Sequence, residues 1–303
     1  MIRNLMVEHS VSVAGVPPGM GKLENCRRLT LGLGREDLPR AWTPDSQAVV
    51  FDSNRNGTWE LFKQMLNGTT DEPVLRSTDD VFTPRLSPDG TSYLYIERPK
   101  DWTEPAPVAI MRMPVSGGAS QMILRVSGIS DWGLRFECPA AAGKPCVLAQ
   151  RQGTEIVFHA FDPVRSLNEM NEVARIDSDP AHPVSWTIAP DGLSLAWTRW
   201  EATGARIHVL PVGGKAVPEP QVEVQNCSHV HSMHWSANGK GWFLTSEWPV
   251  DWSISYSGLD GRAHVLLQGT GTHAPDVFPS PDGRHVAFSQ RITESNLWLV
   301  EGF

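Results

Sequence analysis

The densest set of side chains able to hold a metal ion or move a proton lies between positions 227 and 234: Cys227, His229, His231 and His234. Imidazole nitrogen and thiolate sulfur are donors that zinc and the later first-row metals favour. On an extended chain alternate side chains share a face, so His229 and His231 point together while His234 points away. Two imidazoles only begin a metal site. The obvious further ligands are His182 and His273, which fall in analogous segments of the chain. The competing reading is a group of solvated loop histidines, and on that reading the protein carries no metal and no cofactor.

A second pattern is acidic. Asp37, Asp79, Asp80, Asp131, Asp179 and Asp276 each stand in a segment leading into a predicted strand. A ring of such carboxylates around one mouth would draw a cationic peptide or a metal ion. Taken singly, each Asp also serves as an ordinary turn cap. Trp132, Trp248 and Trp252 fall in predicted loops, where aromatic side chains make contact surfaces. The expected binding residues are therefore Asp37, Asp80, Asp131, Trp132, His182, His229, His231 and His273. No catalytic residue is expected. There is no Gly-x-Ser-x-Gly nucleophile turn. Residues 15–22 imitate a phosphate loop but place Val16 where glycine is needed and Leu23 where Ser or Thr is needed.

These residues take their positions from a repeat. Ser87-Pro88-Asp89-Gly90, Ala189-Pro190-Asp191-Gly192 and Ser280-Pro281-Asp282-Gly283 are clean copies of one turn. Thr43-Pro44-Asp45-Ser46 and Ser236-Ala237-Asn238-Gly239 are worn copies. In this turn Pro presets φ, Asp accepts a local hydrogen bond and Gly takes the left-handed position. The copies recur with a period in the forties, and between Pro88 and Pro190 the interval doubles, so a unit near position 138 has lost its signature. After each turn comes a nearly continuous apolar run, at 49–51, 94–96, 147–149, 195–197, 242–244 and 286–288. Such runs suit strands covered on both faces. Third strands are predicted at 59–62, 109–113, 156–161, 207–210, 254–256 and 297–300.

Strand-turn-strand units with this period predict an all-β protein, a six-bladed β-propeller of four-stranded antiparallel blades. The last unit stops after its third strand, and residues 27–31 read as an outer strand with no blade before it. Pairing 27–31 with 297–300 would close the ring and remove its open edges. The domain limits on this reading are an extension over 1–26, with no assigned role, and a propeller over 27–303. The loops leading into the inner strands then surround one mouth of a central channel.

The net charge of the 303 residues is −8, from 26 basic and 34 acidic side chains. With no run of Lys or Arg, nucleic acid is not an expected partner. No apolar stretch approaches the roughly 18 residues of a membrane span, and residues 11–16 are too short for a signal sequence. A soluble monomer with no visible export signal is expected. Cys138 and Cys146 flank the hairpin of the unit that lost its turn. Either a disulfide replaces the turn, placing the chain in the periplasm or another oxidising compartment, or two reduced thiols end the strands. Cys26 and Cys227 are not expected to pair.

The stretches 27–31, 41–46 with 49–51, Ser53-Asn54-Arg55-Asn56-Gly57-Thr58-Trp59, and 280–283 with Asn296-Leu297-Trp298 resemble the TolB-type propeller repeat, a bacterial relative of the WD repeat. The resemblance spans about residues 27–303. It is closer still to the C-terminal propellers of acidobacterial-type signalling proteins, in which a kinase or winged-helix domain precedes the propeller. The Cys138/Cys146 hairpin also fits that group. The resemblance implies a sensing or scaffolding part of a signalling or envelope assembly. Kinase and DNA-binding activities belong to those other domains and do not carry over. The expected function is a non-catalytic module that docks a protein, peptide or small ligand on the leading-loop face. The alternative is a metal-dependent propeller lyase or hydrolase using His229 and His231, and a third reading is a fragment of a larger regulator.

Overall fold

The computed structural model describes residues 2–31, 35–103, 106–127, 135–165, 169–178, 184–199, 205–213, 221–224, 229–248, 251–271 and 273–298. Its strands form six four-stranded antiparallel sheets, the blades of a propeller. The inner strands are Asp37–Trp42, Asp80–Leu86, Arg135–Glu137, Val184–Ile188, Val230–Trp235 and Val277–Pro279. Each runs into its turn and on to a second strand: Ala48–Ser53, Ser92–Arg98, Cys146–Gln152, Ser194–Arg199, Gly241–Trp248 and His285–Trp298. All six apolar runs of the sequence lie within these second strands.

Their burial follows from where the core sits. Apolar side chains fill the seams between adjacent blades rather than one central interior. Leu94, Ile96 and Ile110 of the second blade meet Phe136 and Leu148 of the third, and Phe158 of the third meets Trp186 and Trp197 of the fourth. The middle strand of each blade therefore buries both faces, which is why it reads as continuous rather than alternating. The turns are built as the sequence requires. Ser87 and Ser280 each donate to the carboxylate two residues on, at 2.5 and 2.6 Å, and Gly90 and Gly283 both sit at φ 70°.

An N-terminal strand closes the ring as expected, but through other residues. The third strand of the last blade is Ile2–Gly15, paired antiparallel with His285–Trp298 from Ile2 opposite Trp298 to Gly15 opposite His285. Glu24–Arg28 then forms the outer edge against it. Leu297 and Trp298 end the second strand instead of forming a third. The physical reason is that no Gly or Pro interrupts the chain between Phe288 and Trp298, so the strand continues through a mostly polar stretch. The paired segment carries buried Val11 and Val13 on a β-periodic stretch that the sequence reading weighed only as a signal segment. Trp248 and Trp252 likewise belong to strands, in register with Asp251 and Glu247, rather than to a loop.

In the third blade Cys138 and Cys146 are joined by a disulfide, with Cα atoms 4.3 Å apart, across the hairpin where the repeat lost its turn. Cys26 is free and exposed; Cys227 lies outside the described residues.

Candidate functional site

Three inner strands carry an irregularity at the same level of the channel. In the first blade Pro39 faces Phe51 and Ala41 faces Val50, which leaves Arg40 as an extra residue. In the fifth, Val230 faces Ser246 and Ser232 faces Thr245, leaving His231 extra. In the second, the shift falls between Phe82 and Arg85, and Thr83 takes the left-handed φ of 52°. A bulge re-aims side chains and resets alternation along the strand. His234, expected to point away from His231, consequently turns into the channel as well.

Around these bulges the channel holds a chain of charged groups. Arg40 donates from Nε to Asp52 at 2.9 Å and from Nη1 to Asp276 at 3.1 Å. Asp52, 1 % exposed, also accepts from the Thr83 backbone N–H at 3.1 Å. His231 Nε2 stands 3.6 Å from the other oxygen of Asp276. Burial raises the Asp52 carboxyl despite Arg40. Asp276 feels the same upward push from burial, but Arg40 and then His231 overcome it and hold its carboxyl below the ordinary value. Its side chain remains 29 % accessible.

One residue from each blade closes the channel toward the turns: Ala41, Arg85, Glu137, Thr187, His234 and Phe278, all buried. Three of them meet at one oxygen, Glu137 Oε1, which lies 3.4 Å from Arg85 and 3.9 Å from His234 Nδ1. Arg85 also donates from Nη1 to the Arg40 carbonyl at 3.0 Å. Its guanidinium lies over the Phe278 ring, and the His234 ring centroid is 4.5 Å from that of Phe278. Burial lowers the His234 pKa to about 4, with Glu137 opposing, so this imidazole is neutral near pH 7.

On the leading-loop side, beside Arg40 and Asp52, Leu38, Trp59, Phe82, Thr83 and Arg98 line a cavity of about 300 Å³. Arg98 Cζ lies 5.0 Å from the Phe82 ring centroid and 5.3 Å from that of Trp102. Phe82 and Trp102 are only half buried.

Three of the acids expected to ring this mouth, Asp37, Asp80 and Asp276, are matched by cations. Asp37, 1 % exposed, accepts from Arg35 at 3.0 Å, Arg55 at 3.2 Å and Ser53 at 2.7 Å. Asp80 accepts from the Trp59 backbone at 3.0 Å and faces Arg98. His231 joins Asp276, whereas His229 precedes the strand with φ 50°. His273 is exposed next to a separate cavity lined by Trp252, Gln290 and Arg291. Asp131, Trp132, Asp179 and His182 lie outside the described residues. Among the described residues no three His, Cys, Asp or Glu side chains gather closely enough to share a metal ion.

Arg40, Asp52, Arg85 and Glu137 were not anticipated. A signal for the closing layer does exist: in the five units with a turn motif, the residue three places before the motif's second position is Ala41, Arg85, Thr187, His234 or Phe278. Two charged or ionisable side chains at a position otherwise small or apolar mark it as lining something.

No family model matches the chain. No curated protein matches it. Solved structures do. The TolB-type protein of Agrobacterium tumefaciens superposes with a TM-score of 0.69 at 15 % identity, covering 94 % of this chain and 99 % of that one. TolB of Acinetobacter baumannii gives 0.64 at 17 % identity and 88 % coverage, and this chain spans 65 % of its length. A puromycin hydrolase gives 0.56 at 15 % identity over 91 % of this chain, which spans 49 % of that one. At these identities the likeness is one of fold, shared by TolB-type proteins and by an enzyme alike.

Proposed function

We propose that this chain is a non-catalytic binding module that docks a protein or peptide on the leading-loop face of the ring. The observation that carries the reading is the cluster of Phe82, Trp102 and Arg98 beside the cavity at Arg40, Asp52 and Thr83. Half-buried aromatic side chains with a stacked arginine are the composition of binding hot spots. The strained backbone of Thr83 sits at its centre, where strain is retained for a task. The matched Asp–Arg pairs around the mouth favour a partner with mixed polar groups over a strongly cationic one. The TolB-type neighbours fit such a role, and the Cys138–Cys146 bridge fits an oxidising compartment.

The test is capture of a partner from native lysate by the parent protein, by a Phe82→Ala/Trp102→Ala variant and by an Ala140→Trp variant on the opposite face. Loss of the partner in the first variant alone, with unchanged thermal unfolding, is the expected result. Loss only in the second would move the docking surface to the turn face. Metal found in the purified protein and removed by His231→Ala would replace the binding reading with the enzyme one.

A further inference from the structure

The opposite mouth of the channel holds a second site. Between the turns and the closing layer lies a funnel of about 410 Å³. Pro44, Pro88, Pro139, Pro190 and Pro281 form its walls, one from each of five blades, with Trp42 and Trp235 below them. Its floor is Arg85, Glu137, His234 and Phe278. The Trp42 indole N–H is already used, donating to the Phe278 carbonyl at 3.0 Å.

Three other polar atoms among the funnel residues are buried without a hydrogen-bond partner: His234 Nε2, Arg85 Nε and Trp235 Nε1. His234 and Arg85 are 7 % and 9 % exposed. An unpaired buried polar atom is costly, and three of them on residues that line one hollow mark it as a receptor. The tautomer follows from the neighbours. Glu137 Oε1 lies 3.9 Å from Nδ1, which favours the proton on Nδ1 and leaves a lone pair on Nε2. Nε2 therefore calls for a donor, whereas Arg85 Nε and Trp235 Nε1, which are always donors, call for an acceptor. The floor already holds a carboxylate, Glu137, whose Oε1 lies 3.4 Å from Arg85 and 3.9 Å from Arg135, so an incoming anion would compete with Glu137 for those two cations.

We infer that this funnel is a binding site for an uncharged amide carried on an apolar ring or chain. The amide N–H is received by His234 Nε2, its carbonyl by the N–H groups of Arg85 and Trp235, and its carbon frame by the proline walls. A free small molecule and an amide side chain on a protein segment present the same chemistry. The site faces away from the Phe82–Trp102 cluster, so it stands or falls separately from the docking proposal.

The test uses the whole protein and three probes of one shape: benzamide, acetophenone and benzoate. Binding is followed by NMR through the indole N–H signals of Trp42 and Trp235. Benzamide should shift both signals saturably and bind about tenfold more tightly than acetophenone, the worth of one added hydrogen bond. His234→Phe should reduce benzamide to the acetophenone level. Should that variant unfold, Ala140→Trp, at the exposed rim of the funnel, should abolish binding with the floor untouched. A capped Pro-Asn-Pro peptide binding more tightly than benzamide would assign the amide to a protein segment, and weaker binding would assign it to a free molecule. Benzoate binding more tightly than benzamide would overturn the proposal in favour of an anion site. Equal binding of all three probes would make the funnel merely apolar, and no saturable shift would mean that only water serves the three atoms.

Discussion

Replacing His234 with Gln should make the protein relatively more acid-resistant. In the folded chain this imidazole is buried among Phe278, Arg85 and Glu137, and its pKa falls to about 4. In the unfolded chain it takes a proton near its ordinary value of 6.5. Between those two values the unfolded state binds a proton that the folded state refuses, so stability falls as the pH falls through that window. Above the window the penalty is absent, and below it the penalty is constant. At about 1.4 kcal/mol per tenfold change in proton affinity, the full loss is roughly 3 kcal/mol. Urea unfolding followed by tryptophan fluorescence, for the parent and His234→Gln at about pH 7.5 and about pH 4, isolates this contribution because the other titrating groups are common to both proteins. The variant should be the less stable protein at neutral pH and should recover most of that deficit in acid. A difference that stays the same at both pH values would refute the burial argument, and with it the neutral imidazole on which the funnel's hydrogen-bonding pattern depends.

Two further outcomes follow from the same geometry. Arg40→Ala leaves Asp52 buried without its cation and should cost about 3–5 kcal/mol in chemical denaturation; a loss below about 1 kcal/mol would show that Asp52 is not charged in the fold. Reducing the Cys138–Cys146 bond, whose ends are 8 residues apart in sequence, should cost roughly 2–3 kcal/mol by loop entropy. Thermal unfolding with and without reductant reads this loss, and two free thiols by mass spectrometry of protein from an oxidising compartment would remove the bridge altogether.

The fold was legible because its turns are local chemistry. Pro88, Asp89 and Gly90 fix their own geometry, and the apolar runs after each turn declare strands buried on both faces. That an N-terminal strand closes the ring was legible, but not which residues form it. Pairing Ile2–Gly15 with His285–Trp298 is a contact between chain ends that leaves no mark in either segment beyond its β pattern. The site was legible only in part. The sequence drew attention to Asp37, Asp80 and Asp276, but not to the arginines that neutralise them, because Arg40, Arg55 and Arg98 meet those acids by folding and not by spacing. His234 was turned the wrong way by strict alternation. A single bulge at His231, which no residue type announces, reversed it.

The docking surface is tested most directly by hydrogen exchange on the chain alone and in complex with its captured partner. Slowed exchange over residues 79–84 and 98–103, around Phe82, Arg98 and Trp102, is the expected result, with the turns at 87–91 and 280–284 unchanged. Slowed exchange confined to those turns would contradict docking on the leading-loop face.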